Sequence, residues 1–322
     1  MISIVIPVYN AAPYLSKCLD SLICQTSKDW EAILIDDGSS DYSVQICNQY
    51  AKKDERISFI QKGNEGVAKT RNKALDISKG KYVFFLDADD YLLDIHCLSV
   101  MEHIIESQNV DLVRIEYCAV DETNKKLFDN RNRLLRSKYY EKPVLVDVYC
   151  DKVIKGEYFL CLNLLKNDII QKHKIRFLEG CRMREDAAFL LAYLSNCKKA
   201  IYLPAVYYAY RKHSGAATAN NDHVKYGIDL SMVFDFVYAI YLNSKNNLFK
   251  YYLEYFLTEL TVDLRNSEYF EARYAICKSF HNKSIKFKCL SFGGASEALL
   301  VLTSLVKHAL SIIRTYTHAA KS

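Results

Sequence analysis

Strand-like and helix-like runs alternate through the first hundred-odd residues. The hydrophobic runs ISIVIPVY, EAILID, ISFI, YVFFLD and VDLVRIEY are separated by segments with helical spacing over Tyr14 to Gln25, Tyr42 to Lys53, Val67 to Ser78 and Ile95 to Ser107. This order predicts an α/β fold, a mostly parallel sheet wrapped by helices, with ligands held beyond the carboxyl ends of the strands. Polar clusters fall at those ends: PVYNAA after the first strand, DDGSSD after the second, KGNEG after the third and DADD after the fourth. From Cys118 to Arg182 short strand-like and helix-like pieces mix without a readable order. A helix follows over Glu185 to Ser195, then a strand AIYLP and a separate aromatic run VYYAYRKHS. Beyond Asn221 the pattern is helical, starting with His223 to Leu242, which predicts a boundary near residue 220.

Composition narrows the class. A chain of 322 residues that is 50% hydrophobic, with only 4 prolines, can bury a sizeable core. The 11 cysteines are odd in number and show no CxxC pair or zinc spacing, so they predict reduced thiols in a cytoplasmic protein rather than a disulfide framework. The start, ISIVIPVYN, has no basic n-region or long apolar h-region and predicts no secretory signal. No uncharged apolar stretch reaches the roughly 18–20 residues that span a bilayer.

The net charge of +5 is located in the tail. Residues 244–322 hold 11 Lys/Arg against 6 Asp/Glu, and the rest of the chain is balanced.

The acidic clusters carry the candidate chemistry. In YVFFLDADDYL, Asp87 and Asp89 are two apart in an extended segment and so point the same way, offering two hard oxygen ligands suited to Mg²⁺ or Mn²⁺ with substrate phosphates. The same residues also fit a capped turn. IDDGSSD puts Asp36 and Asp37 at a strand end before a Gly turn, where a carboxylate can accept from a base or ribose. GNEGVAKTRNKAL places Lys69 and Arg71 in the first turns of a helix, a reasonable anion site or two solvated cations. Glu185 and Asp186 open an apolar helix, either as macrodipole partners or as a general base. Arg211, Lys212 and His213 end an aromatic strand, suited to phosphate or to solvent.

Taken in order, SIVIPVYNAAPYLSKCLDSLICQT, LIDDGSSD, GNEGVAKTRNKAL, GKYVFFLDADD, REDAAFLLAYL and YYAYR resemble the family-2 glycosyltransferases, inverting enzymes with the GT-A fold. The likeness is specific over residues 1 to about 92, thinner over 182–218 and absent beyond. It implies a catalytic domain over 1–220, with a nucleotide-sugar half (1–117) and an acceptor and base half (118–220), followed by a helical basic region over 221–322.

By the same resemblance, Pro7, Val8, Tyr9 and Asn10 line the nucleotide pocket and Asp37 hydrogen-bonds uracil. Arg71 lies near the nucleotide and diphosphate. Asp87, Ala88 and Asp89 form a DxD motif in which Asp89 binds Mn²⁺ or Mg²⁺ on the UDP diphosphate while Asp87 faces the ribose and sugar. Asp186 is the base that takes the acceptor hydroxyl's proton opposite the leaving group, so that an α-linked UDP-sugar gives a β-linked product. Arg211 or Lys212 helps the diphosphate leave. No Gln-x-x-Arg-Trp motif occurs and Trp30 is the only tryptophan, which disfavours processive synthesis.

In the tail, Leu299, Leu302, Val306, Leu310 and Ile313 recur at helical spacing. With Lys278, Lys283, Lys286 and Lys288 interleaved by Phe280 and Phe287, they predict peripheral contact with anionic lipid at the inner face of the cell membrane, consistent with a lipid-linked glycan acceptor in capsule or O-antigen assembly. Packing on the catalytic domain, or between protomers of a homo-oligomer, is an equal use of that stripe. No nucleic-acid motif accompanies the lysines. Two other functions fit the front half: a nucleotidyltransferase, disfavoured by the lack of a Gly-rich basic loop after strand one, and a non-catalytic nucleotide-sugar-binding module.

Overall fold

In a computed structural model that describes residues 1–129, 142–150, 153, 158–216 and scattered positions between 229 and 240, the leading alternation becomes a layered α/β unit. β1 (Ile2–Val8), β2 (Trp30–Asp37), β3 (Ile57–Lys62) and β4 (Tyr82–Phe85) are parallel in the order β3-β2-β1-β4. Helices α1 (Ala12–Ile23), α2 (Ser43–Lys53) and α3 (Val67–Ile77) form the crossovers. β1 and β2 are buried on both faces, which is why they read as near-continuous apolar runs. Ile2, Ile4, Ile6 and Val8 pack in one cluster with Leu15, Leu19 and Leu22 of α1. Each helix lies within two residues of its expected span.

Past β4 the sheet becomes mixed. β5 (Tyr91–Leu92), α4 (Cys97–Ser107), β6 (Leu112–Val120), β7 (Lys126–Asp129), β8 (Val144–Leu145), the one-turn helix α5 (Val146–Tyr149), β9 (Asn163–Lys166), α6 (Asn167–Lys172), α7 (Glu185–Leu194) and β10 (Lys199–Arg211) follow in the chain. β9 is antiparallel to both β4 and β6 and joins the parallel front to the rest, giving a ten-stranded sheet. β10 runs parallel to β6 and antiparallel to β5.

The strand AIYLP and the run VYYAYRKHS, expected as two pieces, are one strand. Pro204 is accommodated because the pairing with β6 slips in register between Tyr202 and Val206, so no ladder hydrogen bond is demanded of it.

The chain divides into two compact units, Met1–Asn220 and Asn221–Ser322. The helix expected over 223–242, apart from scattered positions, and the basic tail lie outside the described residues. Among the described residues, no helix is long and apolar enough to cross a membrane.

Candidate functional site

The carboxyl ends of β1, β2 and β4 gather three of the expected clusters. At β1, Asn10 takes a left-handed conformation (φ 48°), which Asn tolerates. Its Oδ1 accepts from the backbone N–H of Ser40 at 2.8 Å, and its own N–H donates to Ser39 Oγ at 2.9 Å. The two strand-end loops are thereby clasped together. Tyr9 projects into solvent and Pro7 is half-buried, but Val8 is fully buried in the core cluster. Val8, expected to line the pocket, presents no side-chain surface to it, because strand alternation turns it inward.

At β2 the two aspartates divide the work. Asp36 Oδ2 accepts from the N–H groups of Gly38 and Ser39, each at 3.1 Å, closing the turn. Asp37 Oδ1 accepts from Lys62 Nζ and, at 2.8 Å, from the Glu65 N–H, while Oδ2 accepts from the Gly66 N–H at 2.9 Å. Asp37 is therefore buried and braces the loop that leads into α3. Lys62, which the sequence did not single out, is its counter-ion.

After β4 the chain turns through Asp87, Ala88, Asp89 and Asp90. The side chains of Asp87 and Asp89 are 34% and 32% exposed, so both reach the site rim. Ala88 is buried in the core cluster, which corrects its expected place in the binding surface: only its neighbours can meet a ligand. Asp90 is also buried, accepting from Tyr208 Oη–H and from the Arg211 N–H, both at 2.7 Å. It ties the DxD turn to the end of β10.

Arg211 corrects a further expectation. Its guanidinium, on a side chain of a residue only 3% exposed, donates to the carbonyl of Asp89 at 2.8 Å and to Asn124 Oδ1 at 3.0 Å, and more weakly to the carbonyls of Asp121 and Glu122. It lies over the rings of Tyr14 and Tyr91. With its donors consumed by the protein, it is a strap on the DxD turn and not a free cation for a diphosphate.

His213, two residues on, which the sequence offered only as a cation suited to phosphate or to solvent, meets Asp89. Its Nε2 lies 3.0 Å from Asp89 Oδ2 and its ring rests against Tyr14. No local pattern links positions 89 and 213; only a shared location at strand ends pointed to it.

Arg71 is buried, and its position also departs from expectation. Nη1 donates to Glu185 Oε1 at 2.7 Å and Nη2 to Asp87 Oδ1 at 2.9 Å. It is thus shared between two carboxylates rather than held open for an anion. Asp186, half-buried in the first turn of α7, accepts from the Ala187 N–H at 2.7 Å. Arg184 before it holds φ at 66°, a left-handed entry to the helix.

The electrostatics follow from this crowding. Burial is the largest influence on each of the shifted acids. It pushes Glu185 up to about 7, against the pull of Arg71 and with the push of Asp186. Asp186 is raised by burial and by Asp87, opposed by Arg71 and Arg184. Asp89 is raised by burial and then by Asp87, and Asp90 more strongly by burial and by both neighbours. Five carboxylates surround few cations, so the site favours protons or an added cation.

A divalent ion fits the donor set. Asp89 offers a hard oxygen at the rim, with Oδ2 facing His213 Nε2. The described residues contain no group of three His, Cys, Asp or Glu placed to hold a metal.

Comparison with known proteins places this geometry. Residues 3–159 match the sequence model of glycosyl transferase family 2. Glycosyltransferase GlyA of Streptococcus pneumoniae serotype 4 is 31% identical over 222 residues, 67% of this chain and 31% of that protein. The poly(ribitol-phosphate) beta-glucosyltransferase of Bacillus spizizenii is 34% identical over 222 residues, 66% of this chain and 33% of that protein. Among solved structures, S. aureus TarS 1-349 in complex with UDP-GlcNAc superimposes with a TM-score of 0.60 at 19% identity, covering 94% of this chain and 80% of that one. The chain spans less than two thirds of the length of the first curated relatives it matches.

Proposed function

This chain belongs to glycosyl transferase family 2 and has the GT-A fold, and from that premise we propose that it is an inverting, metal-dependent transferase that moves a sugar from a UDP-sugar to a hydroxyl of a glycan acceptor. The observation that carries the reading is the convergence of Asp87 and Asp89 at the end of β4 with Glu185 and Asp186 at the start of α7, through one buried Arg71. An inverting displacement needs a base on one face of the sugar and charge stabilisation at the leaving group on the other.

Asp186 is the base. Its burial and its acidic neighbours raise its proton affinity, which suits a group that must take a proton from a hydroxyl and later release it. Asp87 faces the ribose and sugar, with Arg71 fixing its carboxylate. Asp89 would hold Mn²⁺ or Mg²⁺, which supplies charge neutralisation to the departing diphosphate. Asn10, Ser39 and Ser40 shape the wall beside the exposed Tyr9 ring, where a nucleoside base has both a flat surface and polar edges to meet. Asp37 keeps the neighbouring loop before α3 in place through its bonds from the Glu65 and Gly66 N–H groups and is paired with Lys62 at the end of β3, with one lone-pair direction left for a base edge.

The relatives, the poly(ribitol-phosphate) beta-glucosyltransferase of Bacillus spizizenii among them, support a surface polymer as the acceptor's class. A lipid-linked acceptor is the form that the basic, amphipathic tail favours.

The deciding experiment is calorimetric binding of UDP, GDP, CMP and ADP to the purified protein, with and without Mn²⁺, repeated on Asp89→Ala. The expected result is selective UDP binding that needs Mn²⁺ and is weakened at least about tenfold in the variant. Equal binding of all four nucleotides, or an unchanged variant, would overturn the donor and metal assignments.

A further inference from the structure

Burying a guanidinium between two acids is a poor way to gain stability, since desolvation of three charged groups offsets much of their attraction. Arg71 does so while leaving its Nε buried with no hydrogen-bond partner among the described residues. Beneath it, the three elements it touches are joined a second time. Phe85 closes β4 two residues before Asp87, Phe189 lies one turn into α7 from Glu185, and Phe177 sits in the loop between α6 and α7. Phe177 and Phe189 stack at 4.2 Å, and Phe85 meets both edge-on at 5.5 Å. Asn72, next to Arg71 on α3, clamps the backbone of Phe177 by donating to its carbonyl at 3.0 Å and accepting from its N–H at 2.8 Å. The Arg71 guanidinium rests over the Phe177 ring. An ionic layer, Asp87–Arg71–Glu185, therefore lies on an aromatic layer that fastens the same elements.

We infer that Arg71 and Glu185 are positioning residues that couple the donor-side carboxylate Asp87 to the base Asp186, so that the two halves of the reaction centre share one charge-balanced joint. The inference rests on the transferase reading above. Neither residue touches a reacting atom. Glu185 is buried and held by Arg71, while its neighbour Asp186, in the same helical turn, is only half-buried. The ionisable groups around the pair are Arg71 on α3, Asp87 after β4, Arg184 at the start of α7 and Cys161 in the turn before β9. The ease with which Asp186 ionises is then set by Arg71, which favours it, against Asp87, which opposes it, while Glu185 holds Arg71 in place.

That arrangement gives different outcomes for two substitutions. Glu185→Gln keeps an oxygen for Arg71 Nη1 and matches the protonated form that Glu185 holds below about pH 7, so the acid limb of the turnover profile stays in place. Arg71→Lys keeps a positive charge on a side chain that cannot bridge both carboxylates, so the limb moves up. The experiment is UDP release from UDP-glucose and from UDP-N-acetylglucosamine with Mn²⁺, followed across the pH range for wild type and both variants, with UDP affinity measured alongside. An upward shift of about one pH unit is expected for Arg71→Lys and none for Glu185→Gln, with UDP affinity of Glu185→Gln within about threefold of wild type. An unmoved limb in Arg71→Lys, or a moved one in Glu185→Gln, would overturn the coupling while leaving UDP binding intact. If Arg71→Lys does not fold, Glu185→Ala, which removes the anchor of Arg71 Nη1, is expected to raise the limb in its place. Absence of release by the wild type from either sugar, with UDP still bound, would overturn the transferase reading and the coupling with it.

Discussion

At the scale of single residues, the base is the sharpest commitment. Asp186→Asn preserves shape and the bond from the Ala187 N–H but cannot accept a proton, so turnover should fall by about 10²–10⁴-fold with UDP affinity unchanged. Rate and calorimetry on the same preparation check this, and a parallel loss of UDP binding would move Asp186 into the donor pocket instead. The raised proton affinity of Glu185 also bears on stability. Its folded value of about 7 lies above its ordinary 4.5, so the folded state binds more protons between those values, and stability falls as pH rises through that window. Thermal midpoints measured from about pH 5 to 7.5 should decline less steeply in Glu185→Gln than in wild type. An equal slope would place the penalty on Asp89, Asp90 and Asp186. Asp87, Asp89 and Asp186 were legible at this scale as acids at a strand end and a helix start, and the structure places Asp87 within electrostatic reach of the other two. Arg211 was misread because the same Tyr-x-Tyr-Arg pattern suits a free cation and a buried strap equally. Only its carbonyl partners, about 90 or more residues away in sequence, decide between them.

At the scale of elements, local periodicity sufficed where a segment's burial is settled by its own neighbours. β1 to β4 and α1 to α4 fall where the apolar pattern put them, since β1, β2 and β4 are buried along their length and each helix shows one apolar face. The middle was opaque because β9 owes its existence to antiparallel partners, β4 and β6, that lie about 50–80 residues earlier in the chain. A four-residue run has no signature of its own. Gly80 illustrates how closely the elements approach where β1 and β4 meet. A Cβ there would come within 2.4 Å of the Ser3 backbone nitrogen and 2.8 Å of the Tyr82 carbonyl oxygen, neither of which can swing aside. The Gly80 N–H also donates to Ser3 Oγ at 2.7 Å. Gly80→Ala should therefore cost at least about 1–3 kcal/mol in denaturant unfolding, by overpacking. A neutral effect would mean that the start of β4 shifts freely, and the DxD turn at its other end would then be held by Asp90 and Arg211 rather than by the strand.

At the scale of the whole molecule, every candidate site residue belongs to the unit Met1–Asn220, while residues 244–322, within the other unit, carry a net charge of +5. Chemistry and surface charge are thus carried by different parts of one chain. A soluble acceptor would place no demand on a basic tail, whereas a lipid-linked one must be met at an anionic surface. There each lysine contributes about 1 kcal/mol, within a screening length of about 10 Å at 0.1 M salt. The full chain should therefore sediment with phosphatidylglycerol vesicles at low salt, remain in solution with phosphatidylcholine vesicles, and be released as salt approaches about 1 M, where screening shortens to about 3 Å. Retention at high salt would shift the weight to the apolar positions Leu299, Leu302, Val306, Leu310 and Ile313, because burial of hydrocarbon is not screened. Failure to bind either vesicle would leave those positions to protein contacts and remove the reason for preferring a lipid-linked acceptor. UDP affinity and the pH behaviour of Glu185 would stand, since they depend on residues of the first unit.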